Sequence, residues 1–295
     1  MLDLNYVEPV FRPPSEWRSL ILQVTNGCSW NQCTYCEMYQ DPQKSFRFKD
    51  ICEARKELQY ARSIGVPVEK IFLADGDAMT LSTRRLTLIL DAVNEIYPDV
   101  KRVSAYCLPR NVRHKSVAEL KQLKDKGLSL AYVGIESGDE TLLSYVKKGE
   151  TFHSSLDALL KLHEAGIKTS VMILNGLGGK SRSQEHAEAS AELMNLAQPK
   201  YLSTLVVSFP KGTERFLDGF PDYQPLSQDE LFRELHYFIS QLDLKATIYR
   251  SDHASNALPL KGTLPKDKNR LLDILSTAIH SPERMSFRPE YLRGL

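Results

Sequence analysis

"GLSLAYVGIESGD" occupies Gly127–Asp139. Its first residue is a glycine of the kind that ends helices, because a left-handed backbone is cheap without a Cβ. Leu128–Ile135 is then a short apolar, β-prone run, and it stops at an acid, Glu136, followed by turn residues. Upstream, Ser116–Lys126 has apolar residues at helical spacing, and downstream Asp139–Val146 does too. The stretch therefore predicts helix, buried strand and helix, with the polar residues at the strand's carboxyl end.

The same unit recurs along the chain. Strands are expected at Leu20–Thr25, Lys70–Ala74, Arg102–Cys107, Leu128–Ile135, Lys168–Leu174 and Tyr201–Val207. Helices are expected at Phe48–Ser63, Leu86–Ile96, Ser116–Lys126, Asp139–Val146, Ser154–Ala165 and Gln184–Leu196. Gly127 and Gly166 both sit where a helix must stop before a strand. Alternating strands and helices make a parallel sheet with crossover connections. Six such units predict an α/β fold, a partial (β/α)6 barrel of the TIM type. Residues 1–17 read as a lead-in, 18–210 as the barrel and 211–295 as a mainly helical C-terminal extension packed on it. In that extension helices are expected at Gln228–Leu242 and Lys266–Ile279, with a possible strand at Lys245–Ser251.

Sheets of this kind put chemistry at strand carboxyl ends. The unusual residues fall there. A cysteine cluster follows the first strand, Asp75-Gly76-Asp77 the second, Glu136-Ser137-Gly138-Asp139 the fourth and Asn175–Gly179 the fifth. Cys107 ends the third, and Ser208–Glu214 closes the sixth.

The cluster is "NGCSWNQCTYCEMY", Asn26–Tyr39, with Cys28, Cys33 and Cys36 spaced C-x4-C-x2-C. Thiolates favour iron–sulfur clusters and zinc. A structural zinc takes four closed ligands, and no fourth cysteine or histidine lies nearby. A four-iron cluster on three thiolates keeps one iron open. A zinc site completed from a distance, a redox pair or buried thiols are the other meanings of such a trio.

The loop, with Tyr35 just before the last cysteine, resembles the cluster-binding loop of the radical S-adenosylmethionine (radical SAM) superfamily, although its first gap has four residues where three are usual. "YVGIESGDETLL" (Tyr132–Leu143) resembles the subgroup containing methylthiotransferases, the Elongator-type acetyltransferase subunit and oxygen-independent coproporphyrinogen oxidases. The resemblance covers about residues 18–214. It implies a 4Fe-4S cluster on Cys28, Cys33 and Cys36, with S-adenosylmethionine on the open iron. It also implies reductive cleavage to a 5′-deoxyadenosyl radical that abstracts hydrogen from a substrate. Asp75, Gly76 and Asp77 would lie near the amino group; one glycine and a second acid replace the usual two glycines and an acid. Glu136 would bond the ribose hydroxyls, Ser137 would cap the next helix or touch the ligand, and backbone at Gly176 would line the adenine. The usual end of that last segment is missing, Gly179-Lys180-Ser181 standing in its place.

Each position also has a structural meaning. Asp75–Asp77 could be an acidic turn before a helix capped by Thr80 or Ser82, and Glu136 a helix-start charge favoured by the macrodipole. Lys147 and Lys148 either meet Glu136 or a ligand carboxylate or, as the default, form a solvated pair; Cys107 either faces the cavity or, as the default, is a buried small residue; and Cys52 reads as core on an apolar helix face. Arg250, His253 and Asn256 either close the barrel's open side over a substrate or belong to a hydrogen-bonded loop on its rim.

Composition narrows the partners. The net charge of +1 points neither toward nor away from nucleic acid. No apolar run is long enough to span a bilayer, the start is not a signal peptide, and five cysteines suit a reducing cytoplasm. The expected partners are a small-molecule substrate and an electron donor such as flavodoxin or ferredoxin, with no membrane and no evident RNA-binding appendage. Two functions compete with the enzyme: a haem-type cofactor-insertion module on the same scaffold, and a zinc-stabilised β/α domain.

Overall fold

The computed structural model describes residues 4–293. In chain order the elements are β1 (Leu20–Gln23), β2 (Thr25–Asn26), β3 (Arg47–Phe48), α1 (Ile51–Ser63), β4 (Lys70–Ala74), α2 (Thr83–Ile96), β5 (Arg102–Cys107), α3 (Pro109–Val112), α4 (Val117–Asp125) and β6 (Leu128–Glu136). There follow α5 (Glu140–Tyr145), α6 (Phe152–Glu164), β7 (Lys168–Asn175), α7 (Gly179–Ala197), β8 (Tyr201–Val206), α8 (Glu214–Leu217), α9 (Gln228–Gln241), β9 (Thr247–Ser251), β10 (Leu260–Leu264) and α10 (Lys268–His280). The main sheet runs β1-β4-β5-β6-β7-β8-β9-β10. Pairing is parallel at β1–β4, β4–β5, β5–β6, β7–β8 and β8–β9, and antiparallel only at β9–β10 among the registers described.

The expected six strands are all present. Parallel strands are buried on both faces, so their sequences read as apolar runs; β1 is buried at every residue. Gly127 (φ +106°) and Gly166 (φ +76°) end the helices before β6 and β7 as their sequence positions demanded. Ser82 caps α2 by accepting from the Arg85 amide, which settles the choice against Thr80. The extension also supplies strands. β9 adds parallel to β8, and β10, unforeseen in the sequence, closes the row antiparallel to it. Pro259 and Gly262 disguise β10, and an edge strand tolerates both.

The chain forms two compact units: residues up to Asn31 with Cys36–Val133 and Ala158–Thr169, and Gln32–Tyr35 with Gly134–Asp157 and Ser170 onward. The first unit's core contains Leu22, Leu58, Ile71, Leu73, Leu86 and Leu90, all essentially inaccessible; each such side chain is worth about 2 kcal/mol in burial. In the second, Leu142, Val146, Leu174, Leu177, Phe216 and Phe220 form one cluster, against which Tyr35, Phe209 and Tyr223 pack. Cys52 is exposed rather than core. The buried stripe of α1 is Ala54, Glu57, Leu58 and Ala61, and a residue two positions before Ala54 points to the other side of a 3.6-residue turn. Cys107 is buried, as expected. Among the described residues no helix is long and apolar enough to cross a membrane.

Candidate active site

The cysteine loop is closed at its base. β2 and β3 pair antiparallel, Thr25 opposite Phe48 and Asn26 opposite Arg47. The Asn26 amide donates to the Gln43 (2.7 Å) and Ser45 (2.9 Å) carbonyls. Gly27 has φ +67°, and a Cβ there would fall 1.9 Å from the Lys44 carbonyl oxygen, so only glycine fits. Farther out, Asn31 Nδ2 donates to the Tyr39 carbonyl at 2.8 Å. Cys33 is buried, and Cys28 and Cys36 are half-buried.

The exit of β4 is bolted to this loop. The Gly76 amide donates to the Gly27 carbonyl at 3.1 Å. Asp75 Oδ2 accepts from Lys44 Nζ, from Gln23 Nε2 (3.2 Å) and from the Gly27 amide (3.4 Å). Lys44 and Asp75 are both wholly inaccessible. The ammonium beside Asp75 is thus the protein's own; burial pushes the carboxyl up while Lys44 pulls it down. Asp77 accepts from the Ser29 amide (3.0 Å), from the Ser29 hydroxyl and from Asn111 Nδ2 (3.3 Å). Burial still lifts its carboxyl to about 6, against those donors and the Arg110 charge. Arg110 in turn lies over the Trp30 ring, 3.7 Å from its centre. Gly76 has no room for a side chain: a Cβ would meet the Tyr39 ring at 2.7 Å.

The exit of β6 is built differently. Glu136 is held at φ +68°, a left-handed conformation unusual for a glutamate. Its Oε1 accepts from Lys148 Nζ at 3.1 Å, and Lys148 also donates to the Tyr35 hydroxyl at 3.2 Å. Lys148 is buried, not solvated; only Lys147 of the pair is exposed. Helical spacing fails to reveal this, because Lys148 lies beyond α5 on a turn that folds back to the strand end. Gly134 makes the arrangement possible: a Cβ there would sit 2.3 Å from Glu136 Oε1. Ser137 is wholly buried and does not cap α5; Asp139 does, accepting from the Thr141 amide at 3.0 Å. Asp139 also takes a two-pronged contact from Arg182, Nε at 2.6 Å and Nη2 at 3.0 Å.

At the exit of β7, Gly176 has φ +83°. Its amide donates to Glu234 Oε1 at 2.6 Å, and its carbonyl accepts from the Tyr223 hydroxyl at 3.1 Å. Beyond β8, Asn256 Nδ2 donates to the Thr204 carbonyl at 2.9 Å and Ser255 accepts from the Val206 amide at 3.2 Å. Asn256 therefore has the hydrogen-bonded rim role rather than a free ligand-facing one. His253 is half-buried and Arg250 exposed. The sequence did not single out Gly134, Arg182, His186, Tyr223 or Glu234. Their partners lie 43 to 58 positions away for the Arg182–Asp139, His186–Ser137 and Glu234–Gly176 contacts, so no local spacing could expose them.

Do these residues suit a cluster? Among the described residues no three histidine, cysteine or acidic side chains converge on the position of a single ion. A tetrahedral zinc demands such convergence. A cubane does not, because each thiolate takes its own iron. Buried polar atoms lacking partners gather beside the loop: Asn26 Oδ1, Tyr39 OH and Asp75 Oδ1. The Tyr39 phenol is raised well above its ordinary range, first by burial and then by Asp75, Tyr106, Cys36 and Cys28. The donor set and its surroundings fit the cluster.

Comparison with known proteins agrees. The model of the Radical SAM superfamily matches residues 22–194. A putative methylthiotransferase of Methanocaldococcus jannaschii is 25% identical over 178 residues, or 57% of this chain and 38% of the relative. The chain thus spans well under half the length of that relative. The fold resembles coproporphyrinogen III oxidase (HemN) of Escherichia coli, described as a radical SAM enzyme, with TM-score 0.57 and 15% identity over 76% of this chain and 52% of that one. It also resembles the radical S-adenosylmethionine methyltransferase TsrM of Kitasatospora setae, with TM-score 0.52 and 19% identity over 64% and 36% of the two chains. At such identities these structures speak for the fold, a partial barrel with a mostly parallel sheet. The family match covers more than half of the 295 residues, and the chain belongs to the radical SAM superfamily.

Proposed function

We propose that Cys28, Cys33 and Cys36 hold a 4Fe-4S cluster and that the protein reductively cleaves S-adenosylmethionine to begin hydrogen abstraction from a small molecule. The observation that carries this reading is the loop itself: three cysteines on a segment whose base is locked by Gly27, Asn26 and the short β2–β3 ribbon. Held on Cys28, Cys33 and Cys36, such a cluster would supply the one-electron reduction that divides S-adenosylmethionine into methionine and a 5′-deoxyadenosyl fragment.

The chain's own residues would organise that event. Lys44–Asp75 and Ser29–Asp77 keep the loop from shifting when the thiols change ligation. Glu136 offers a carboxylate to vicinal hydroxyls, a natural match of acceptor to donors. Lys148 keeps it aimed, and holds Tyr35 beside the last cysteine. Gly176 is the backbone position expected beside the base, held from both sides by Glu234 and Tyr223, and Phe209, Phe216 and Tyr223 pack against one another. A flavodoxin or ferredoxin would deliver the electron.

The test is anaerobic reconstitution with iron and sulfide, followed by dithionite and S-adenosylmethionine. A brown protein that releases 5′-deoxyadenosine is expected, with Cys28→Ala, Cys33→Ala and Cys36→Ala each losing iron and product together. A cluster without product would favour a cofactor-holding module, and a colourless zinc-loaded protein a structural site.

A further inference from the structure

The second compact unit contains a buried polar chain that the cofactor reading does not use. Ser137 directly follows Glu136, and its hydroxyl lies 2.8 Å from His186 Nδ1 on α7. His186 Nε2 lies 3.9 Å from Glu234 Oε1 on α9. Glu234 Oε1 accepts the Gly176 amide at 2.6 Å, and Oε2 accepts the Ser183 hydroxyl at 2.6 Å. Ser137 also accepts from the Asp139 amide at 3.0 Å, and Tyr223 donates to the Gly176 carbonyl at 3.1 Å. Ser137, His186 and Glu234 are 0%, 2% and 4% exposed.

A carboxylate and an imidazole are expensive to bury without purpose. An apolar trio would fill the space between α7 and α9 at less cost. What the polar trio adds is a fixed distance. One end is the backbone of the β6 exit, immediately after the strained Glu136. The other is both faces of Gly176, its N–H taken by Glu234 and its C=O by Tyr223. The geometry suits one tautomer: with the ring proton on Nε2, Nδ1 can accept from Ser137 while Nε2–H faces Glu234.

Resting on the proposed cofactor, we infer that Ser137, His186, Glu234 and Tyr223 are positioning residues for the nucleoside half of S-adenosylmethionine. They set the ribose-side strand exit and the base-side glycine in one register, and they make α9 of the C-terminal extension part of the cofactor site. A structural filler would affect binding of every part of the cofactor alike. A positioning network of this kind affects the nucleoside and spares the amino-acid half.

The experiment uses anaerobically reconstituted full-length protein. Calorimetry measures S-adenosylmethionine and 5′-deoxyadenosine, and the electron paramagnetic resonance spectrum of the dithionite-reduced cluster reports methionine. In Glu234→Leu, affinity for the two nucleoside-bearing ligands should fall about tenfold or more, the loss expected of a charge-assisted buried bond. The methionine-induced spectral change should persist. Tyr223→Phe removes a single hydroxyl and keeps the fold if Glu234→Leu does not; its expected loss is about threefold to tenfold. Nucleoside affinities within about twofold of wild type in folded variants overturn the inference. So does an equal loss of the methionine response, which marks a merely structural role. Wild-type protein that carries the cluster and binds no S-adenosylmethionine instead overturns the proposed function itself.

Discussion

The exits of β4 and β6 both carry acids, and they are built in opposite ways. After β4, both oxygens of Asp77 are taken by the protein, and Asp75 is locked to Lys44, Gln23 and Gly27 in a place water does not reach. After β6, Glu136 is strained into a left-handed backbone and held by an ammonium that itself bridges to Tyr35. The first pair turns inward and fastens the cysteine loop. The second leaves its carboxylate slightly open, at 8% side-chain exposure, where a ligand hydroxyl could compete for it. An acid at a strand end thus carries one of two meanings, support or recognition. Exposure distinguishes them: Asp75 is wholly inaccessible, and Glu136 is not.

The sharpest way to break that contrast is to remove each cation's partner or each acid's cation and weigh the fold. Lys44→Met leaves Asp75 as an uncompensated charge with no exposure. The expected loss is about 3–5 kcal/mol, with the iron-binding capacity of the loop lost beside it. Urea unfolding and iron content after reconstitution measure both. Glu136→Gln retains an amide oxygen for Lys148, so its expected cost in the same urea titration is about 1 kcal/mol. S-adenosylmethionine affinity should fall despite that intact fold. Equal costs for the two variants would erase the distinction between the exits.

Titration sharpens the β4 side next. The Asp77 carboxyl is raised from 3.8 to about 6, chiefly by burial. The folded state therefore holds that proton more tightly than the unfolded chain. The resulting stability is complete below the unfolded value and is lost as pH rises through about 6. Between pH 4 and 7 the wild type should lose up to about 3 kcal/mol relative to Asp77→Asn, which does not titrate. Unfolding free energies of the two proteins across that window give the difference directly; parallel curves would mean that the Ser29 and Asn111 donors already offset the burial.

The two exits also differ in how visible they were in sequence. The strands were legible because parallel strands are apolar along their whole length, and Gly127 and Gly166 punctuated them. Cys28, Cys33, Cys36 and Glu136 stood out because a reactive residue at a strand end breaks an apolar pattern locally. What lay hidden depends on distance along the chain. Lys44 meets Asp75 across 31 positions and Glu234 meets Gly176 across 58. No periodicity encodes such pairs, and a buried lysine looks like any surface lysine in one dimension. Lys148 stayed ambiguous for that reason, and Cys52 misled because it directly follows Ile51, which lies at helical spacing with the buried Ala54 and Leu58. β10 was masked by Pro259 and Gly262, residues that an edge strand accepts and an interior one does not.

The smallest expected effect tests the recognition side most narrowly. Gly134 and Gly138 flank Glu136, and both lack room for a methyl group, yet what crowds them differs. At Gly138 the obstacle is the Ala189 carbonyl of α7, 2.2 Å from the Cβ position, which is backbone and cannot yield cheaply. At Gly134 it is Glu136 Oε1, the far end of a flexible side chain, at 2.3 Å. Gly134→Ala should therefore fold with a stability change within about 1 kcal/mol, because one rotamer change relieves the contact. Gly138→Ala should cost about 1–3 kcal/mol, as overpacking against fixed atoms does. The rotamer change carries the carboxylate away from Lys148, so Gly134→Ala should weaken S-adenosylmethionine binding in the same direction as Glu136→Gln, and by less, since the charge survives and can swing back. Thermal melts and calorimetry on the pair decide it. A Gly134→Ala protein that melts with wild type and binds with wild-type affinity would mean that the aim of Glu136 is irrelevant, and that its left-handed backbone serves the fold alone.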